Sequence, residues 1–291
     1  MKAAFIVLAA ASMLSFHSKL WAQIWKYQHQ ETTDLVKLIN DAAALIAEKG
    51  EQAFPEFMTY GTRWRHDDTF MFVLDFKGNC YVHEDSTLVA SDLYDLKDSS
   101  GKPFVQWMIR KARGTGQCGW VHYKWFKPGA KVPSWKSSYV KLSKAPSGTF
   151  YFVGSGIFDM KMERDFAREA VEDAINLIVV NGGKALMALS DPATEYIFMD
   201  NYVYVLDTLG NMLVNPGSPD LVGQNQMKLK DVNGKLFIPE LIRVAVDKGY
   251  GWVDYYWTKP LSTQAVPKTA FVKSVSAWGE TFIVASGIYL E

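Results

Sequence analysis

Two lysines at equivalent places in the two halves of the sequence, residues 23–160 and 161–291, are candidates for binding an anion. Lys136 and Lys268 lie 132 residues apart, and each stands just before a segment that is typical of a β-strand. A lysine that points inward is a point charge able to hold a carboxylate. A lysine at a strand end is explained equally well as a solvated surface group, so the sequence leaves both interpretations open.

A histidine and an asparagine form a second pair of equivalent positions. His83 and Asn215 each stand at the end of the second predicted strand of their half. A ring nitrogen or a side-chain amide at such a place can bond a ligand oxygen. A histidine that stands alone is more often structural, so a ligand-binding role and a structural role are both open.

Aromatic residues recur at alternate positions of one predicted strand in each half. Because side chains alternate faces along a strand, Tyr123 and Trp125 share one face, and Tyr255 and Trp257 share the equivalent face. Rings with polar tips suit the mostly apolar wall of a small-ligand site, although the same residues also form ordinary cores. The predicted ligand-binding set includes three further aromatic residues: Phe72, Tyr139 and Tyr204. Tyr139 is matched by a phenylalanine in the second half, so the first half, which keeps both His83 and Tyr139, is favoured as the binding copy. Tyr202 and Tyr204 replace Phe70 and Phe72, however, and give the second half hydroxyls of its own.

No group of residues has the spacing of a catalytic or metal site. The cysteines and histidines lack the spacing of a zinc or haem site, and the chain has no GxSxG elbow, P-loop or GxGxxG after a strand. His66-Asp67-Asp68 is explained as a solvated loop, since neighbouring side chains point in different directions. The sequence therefore predicts no catalytic residue, no metal and no cofactor, and the chain is not expected to be an enzyme.

Charge and length indicate a globular protein without a nucleic-acid partner. The 291 residues suffice for two ordinary domains, and 31 basic residues balance 31 acidic ones. Without a net electrostatic field, neither nucleic acid nor an anionic membrane surface is favoured as a partner.

The N-terminus is typical of a secretory signal peptide. Lys2 supplies a positive start, Ala3 to Phe16 is almost wholly apolar, and a cleavage site is predicted near residue 22. The apolar run is shorter than the roughly 20 residues that a membrane-spanning helix needs, so an uncleaved anchor is the less favoured alternative. No later stretch is apolar enough to span a bilayer. We therefore expect a periplasmic or secreted protein.

The two cysteines, Cys80 and Cys118, both lie in the first half. An oxidising compartment allows a disulfide between them. The second half has Met212 and Tyr250 at the matching places, so the fold does not need a bridge. Two separate thiols are the alternative.

The two halves repeat one another over nearly their full length. Asp75 matches Asp207, and Gly119-Trp120-Val121 matches Gly251-Trp252-Val253, both at an offset of 132 residues. An ordered series of such matches indicates a duplicated structural unit. The predicted organisation is a signal peptide at 1–22, one module at 23–160 and a second module at 161–291.

Each half is predicted to contain the same elements in the same order. Apolar residues from Leu35 to Ile46 and from Ala167 to Ile178 follow the helical spacing of one buried stripe. Two strands, a second helix and three further strands follow, and their β-branched and aromatic content favours antiparallel pairing. The predicted class is α+β, with a long N-terminal helix packed on a five-stranded antiparallel sheet in each half.

The ordered motifs resemble those of a known family, the extracellular Cache sensor domains. They include Phe72-Val73-Leu74-Asp75, Leu96-Lys97-Asp98, Gly119-Trp120-Val121 and Gly154-Ser155-Gly156-Ile157, and they recur in the second half. The closest type is the single-Cache domain, sCache type 2, present here as a tandem pair. The resemblance implies a PAS-like sheet behind a long helix, with a pocket on the concave face that binds small molecules, often organic acids. Family members usually form the extracellular part of chemoreceptors or sensor kinases.

The expected function is periplasmic binding or sensing of a small molecule, with a carboxylate favoured as the ligand. The chain ends at Glu291, directly after the second module, so a free-standing binding protein is the expectation. By resemblance, its candidate protein partners are a membrane sensor kinase, a chemoreceptor or a transporter. The alternative is a scaffolding protein with filled pockets that modulates such a sensor kinase or receptor.

Overall fold

The computed structural model describes residues 27–260 and 262–290, so the predicted signal peptide at 1–22 lies outside the described residues. The helices are α1 (Gln30–Lys49), α2 (Phe54–Met58), α3 (Phe104–Arg113), α4 (Arg164–Asn181), α5 (Lys184–Ser190) and α6 (Phe237–Lys248). Three short 3₁₀ turns cover Gly50–Ala53, Ser86–Leu88 and Pro219–Leu221. Within these residues, no helix has both the length and the apolar character needed to cross a membrane.

The first half forms an antiparallel sheet with the strand order β4-β3-β7-β6-β5. Its strands are β3 (Phe72–Asp75), β4 (Cys80–Val82), β5 (Cys118–Phe126), β6 (Pro133–Lys144) and β7 (Phe150–Phe158), and a small hairpin of β1 (Arg65–His66) and β2 (Thr69–Phe70) precedes them. The turn between β3 and β4 depends on Asp75, whose carboxylate accepts hydrogen bonds from the Lys77 and Asn79 amides, and on Gly78 at φ 93°.

The second half repeats this sheet with the order β10-β9-β13-β12-β11. Its strands are β9 (Asn201–Asp207), β10 (Met212–Val214), β11 (Tyr250–Thr258), β12 (Ala265–Ala277) and β13 (Glu280–Tyr289). A short sixth strand, β8 (Ile197–Phe198), pairs with β9 and was not predicted. The α+β class with antiparallel sheets is confirmed.

The long helices α1 and α4 occupy the same position in each half. The stripe of α1 that includes Leu35, Ile39 and Ile46 is buried, and the helix packs on β6 and β7. In the second half, α4 packs on β12 and β13. The buried side chains of both halves meet in one continuous core on this side, where the rings of Trp120 and Phe166 lie 4.9 Å apart.

The order of the elements predicts a half-covered sheet, and this prediction is wrong, because the shorter helices α3 and α6 cover the opposite face of each sheet. Phe104, Met108 and Ala112 repeat every four residues along α3 and are all buried, so this helix closes its own core over β3 and β5. The equivalent core under α6 is a separate cluster. The two halves therefore share a core on the side of the long helices, but each has its own core on the other side.

The two cysteines do not form a disulfide. Cys80 lies on β4 and Cys118 on β5, which are the opposite edges of the first sheet, and both are free thiols. Adjacent strands are about 4.8 Å apart, so four strand spacings separate the two residues by far more than the roughly 4.4–6.8 Å between Cα atoms that a disulfide allows.

Charged residues at the end of α3 join the first half to the second. Lys111 is half-buried and forms ion pairs with Glu169 and Asp173 of α4, the latter at 2.5 Å. Arg110, one residue earlier, pairs with Glu195. These contacts fix α3 against the second half as well as against its own sheet.

Candidate functional site

A small cavity lies between α3 and the sheet of the first half. Four of the predicted site residues line it: Phe72, His83, Tyr123 and Trp125. Its free volume is about 20 Å³. A single water needs about 10–15 Å³ measured in this way, so the side chains of this structure nearly fill the cavity.

An aromatic stack forms one wall of this cavity. Phe104, the first residue of α3, lies parallel to Tyr123 with ring centroids 4.2 Å apart, and Trp125 packs edge-on against Phe104 at 5.4 Å. The second half reproduces the stack with Phe237 and Tyr255 at 4.3 Å. Because the stacks join α3 to the edge strand β5 and α6 to the edge strand β11, the position of each helix and the shape of its cavity depend on each other.

Lys136 lies next to the cavity and is completely buried, at 0% exposure. It stands directly opposite Tyr123 across β5 and β6, so the two side chains share a face. The aliphatic part of the Lys136 side chain passes over Gly156. A Cβ added to Gly156 would come within 2.9 Å of Lys136 Cε and 2.4 Å of Ser138 Oγ. Glycine at this position therefore leaves room for the lysine.

No hydrogen-bond acceptor among the described residues reaches Lys136 Nζ. The ammonium instead lies 3.5 Å from the ring centroid of Phe70 and 4.9 Å from that of Phe158. Such contacts contribute about 0.5–2 kcal/mol each, which is less than the several kcal/mol that burial of an ammonium costs. The cation is therefore only partly compensated.

Burial shifts the protonation of both basic groups at the cavity. Desolvation lowers the pKa of Lys136 to about 7, although Glu84 and Asp68 act against it. Desolvation, and then the charge of Lys136, lower the pKa of His83 to about 4. His83 is therefore neutral at pH 7. Its Nδ1 accepts a hydrogen bond from the Asp85 amide at 3.0 Å, which assigns the ring proton to Nε2 and makes that atom a donor.

The second half places its predicted residues around an equivalent cavity of about 10 Å³. Tyr204, Asn215, Tyr255 and Trp257 line it. The Tyr204 and Tyr255 hydroxyls are hydrogen-bonded to each other at 3.0 Å. Asn215 Oδ1 accepts from the Ser218 amide, which leaves the Asn215 amino group as the donor.

Lys268 is as deeply buried as Lys136 but has hydrogen-bond partners. It stands opposite Tyr255 across β11 and β12, and Nζ donates to the hydroxyls of Tyr202 at 3.1 Å and Tyr289 at 3.3 Å. Neither lysine is the solvated strand-end residue that the sequence left as an alternative.

Tyr139 does not join the other predicted residues at the cavity. Lys136 and Tyr139 are an odd number of residues apart on β6, so their side chains lie on opposite faces of the sheet. Tyr139 packs against Trp120 at 5.2 Å in the core beneath the long helices. Its replacement by Phe271 therefore does not distinguish the two cavities.

Several site residues were not singled out from the sequence. They are Phe104, Ser138 and Phe158 in the first half, and Phe237 and Tyr289 in the second. Phe70 and Tyr202, which the repeat aligns with each other, also contact the two lysines. Phe158 and Tyr289 face the two lysines across neighbouring strands. Strand register, which a single sequence does not give, is what brings them there.

An antiparallel sheet with a long helix on one face and an aromatic cavity beside a buried cation on the other is the arrangement expected of a Cache domain. A family model described as a Cache domain matches residues 25–291. The chain therefore belongs to the Cache domain family, which is a family of sensory ligand-binding domains.

Two curated relatives are similar to about a third of the chain. A methyl-accepting chemotaxis protein, McpP of Pseudomonas putida, is 29% identical over 92 residues, which are 32% of this chain and 16% of McpP. The sensor histidine kinase MctS of Rhizobium johnstonii is 37% identical over 92 residues, 32% of this chain and 19% of MctS. A solved structure, described as the structural basis for carboxylic acid recognition by a Cache chemosensory domain, is 25% identical in sequence. The match covers 44% of this chain and 92% of the solved chain, with a TM-score of 0.39. The chain spans less than a fifth of the length of McpP and of MctS.

Proposed function

We propose that this protein is a periplasmic sensing protein that binds one small carboxylate in the cavity of its first half. The observation that carries the proposal is the buried ammonium of Lys136, which has no hydrogen-bond acceptor among the described residues. A buried charge is stable when it is paired and hydrogen-bonded. A ligand carboxylate supplies both the opposite charge and the acceptor.

Other groups at the cavity complete a carboxylate site. His83 Nε2 is a neutral donor. The Tyr123 hydroxyl and Ser138 Oγ are hydrogen-bonded at 3.0 Å, and either of them can be the donor. When Ser138 donates, the Tyr123 proton is available to an anion. Two charges about 4 Å apart gain about 4 kcal/mol at the effective dielectric constant of a protein site, and neutral donors add to this. The aromatic wall of Tyr123 and Trp125 suits the short apolar end of the ligand.

The small volume restricts the ligand. A cavity of about 20 Å³ holds little more than one water, so any ligand requires α3 to move outwards, and the smallest ligands require the least movement. Acetate and propionate therefore fit the proposal better than di- or tricarboxylates. We propose modules at 23–160 and 161–291 after a cleaved signal peptide at 1–22, and a membrane sensor kinase, chemoreceptor or transporter as the partner that detects occupancy.

Thermal denaturation with acetate and propionate tests the proposal. A ligand at 100 times its Kd stabilises the native state by about 2.7 kcal/mol, which corresponds to a Tm increase of roughly 5–10 °C for a chain of this size. Lys136→Met should abolish the increase, whereas Lys268→Met, the matched control, should keep it. Acetamide and propionamide should produce no increase.

The nearly filled cavities favour a second candidate function, a scaffolding protein whose pockets hold only side chains. This candidate predicts no Tm response to any carboxylate, amino acid, amine or purine, and unchanged binding of a protein partner by Lys136→Met. A carboxylate response that persists in Lys136→Met would instead contradict our choice of binding residue.

A further inference from the structure

The two buried lysines occupy identical places in the repeated sheet but have different neighbours. Lys136 pairs across the strands with Phe158, and its ammonium lies over Phe70. Lys268 pairs across the strands with Tyr289, and its ammonium lies 4.2 Å from the ring centroid of Tyr202. In both sheets the stem of the lysine crosses a glycine, and an added Cβ at Gly287 would come within 2.8 Å of Lys268 Cε.

Two phenylalanine positions in the first half are therefore tyrosines in the second. Tyr202 corresponds to Phe70 and Tyr289 to Phe158. Their hydroxyl oxygens accept hydrogen bonds from Lys268 at 3.1 and 3.3 Å. Each therefore supplies an oxygen acceptor at the ammonium, which is what a ligand carboxylate would supply at Lys136.

The neighbouring backbone is adapted to these tyrosines. Tyr289 donates its own proton to the Thr258 carbonyl at 2.6 Å, so its oxygen lone pairs remain directed at Lys268. An added Cβ at Gly217 would lie 2.2 Å from Tyr202 Cζ, so only glycine leaves space for this ring. The first half has Asp85 at the position of Gly217.

We propose that Tyr202 and Tyr289 serve as a built-in ligand for Lys268 and close the second half to carboxylates, so that the chain binds one carboxylate and not two. The two hydroxyls are then specificity-determining groups, because they satisfy Lys268 where Lys136 has no acceptor among the described residues. Phenylalanine at both positions removes both acceptors from Lys268 and should turn the second half into a carboxylate site. This inference rests on the proposed function of the first half.

Isothermal titration calorimetry with propionate tests the inference, with propionamide as the uncharged control. The wild-type chain should bind one propionate. The variant Tyr202→Phe/Tyr289→Phe should bind two, and the same variant with Lys136→Met should keep one. Adding Lys268→Met to the triple variant should abolish binding, which identifies the new site as the one at Lys268. Circular dichroism and apo melting temperatures verify that each variant is folded.

Two further variants keep the test decisive where the double variant is unstable. Tyr289→Phe alone, in the Lys136→Met background, should bind propionate measurably, because one acceptor is removed from Lys268. In the reverse direction, Phe158→Tyr should weaken propionate binding at Lys136 at least tenfold. Retention of full affinity by Phe158→Tyr would overturn the inference.

The outcomes separate this inference from the proposed function. Absence of propionate and acetate binding by the wild-type chain refutes the proposed function itself. Wild-type binding that requires Lys136, together with no second site in any folded tyrosine variant, refutes only the closure by Tyr202 and Tyr289. Two sites in the wild-type chain also refute the closure.

Discussion

Lys136→Met should increase the stability of the unliganded protein, because it removes a buried cation that lacks a hydrogen-bond acceptor among the described residues. Methionine has a similar length and fits an apolar, aromatic environment. Burial lowers the pKa of Lys136 from 10.5 to about 7. Each pKa unit corresponds to about 1.36 kcal/mol, so the protonated lysine is less favourable in the folded state by about 5 kcal/mol.

The stabilisation should depend on pH with a defined sign. The folded pKa of about 7 lies below the unfolded value of 10.5, so between these values the unfolded state binds more protons at this residue. The destabilisation by Lys136 is therefore complete below pH 7 and is lost as the pH rises towards 10.5. The advantage of methionine should fall from about 4 kcal/mol at pH 7 to about 2 kcal/mol at pH 9.

Urea denaturation followed by tryptophan fluorescence at pH 6, 7, 8 and 9 measures this difference. Subtracting the wild-type free energy of unfolding from that of the variant cancels the groups that titrate equally in both. Lys268→Met is the matched control and should have the opposite sign, because it removes two hydrogen bonds from a charged donor, each contributing about 1.5–3 kcal/mol. Destabilisation by Lys136→Met, or an advantage that stays constant with pH, would refute the reasoning.

Three further predictions concern the ligand, a glycine and the cysteines. Carboxylate affinity should fall about tenfold per pH unit above pH 7, because Lys136, with a pKa of about 7, must take up a proton on binding; calorimetry in buffers of different ionisation enthalpy measures that uptake. Gly156→Ala should weaken propionate binding at least tenfold and lower the Tm, because the new Cβ would lie 2.4 Å from Ser138 Oγ. Thiol titration of the unreduced, denatured protein should count two thiols, since Cys80 and Cys118 are both free; a count of zero would contradict the sheet order.

The repeat and the alternation of side chains predicted the fold and part of the cavity wall. Tyr123 and Trp125 line the cavity because both occupy the same face of β5, as two-residue periodicity requires. The same rule places Tyr139 on the other face from Lys136, so the sequence contained the information that excludes it once both residues are assigned to one strand. Phe158 was not predictable in this way, because its contact with Lys136 depends on the register between β6 and β7.

Helix α3 connects the cavity to the second half of the molecule. Phe104 and Met108 line the cavity, whereas Lys111 near the end of the same helix pairs with Glu169 and Asp173 of α4. Although burial alone acts against the charge, these two carboxylates raise the pKa of Lys111 above its usual value, so the ion pairs persist at neutral pH. A ten-residue helix is a rigid unit about 15 Å long. A ligand that shifts α3 through Phe104 must therefore either carry α4 with it or break these partly buried ion pairs, which oppose independent movement of α3.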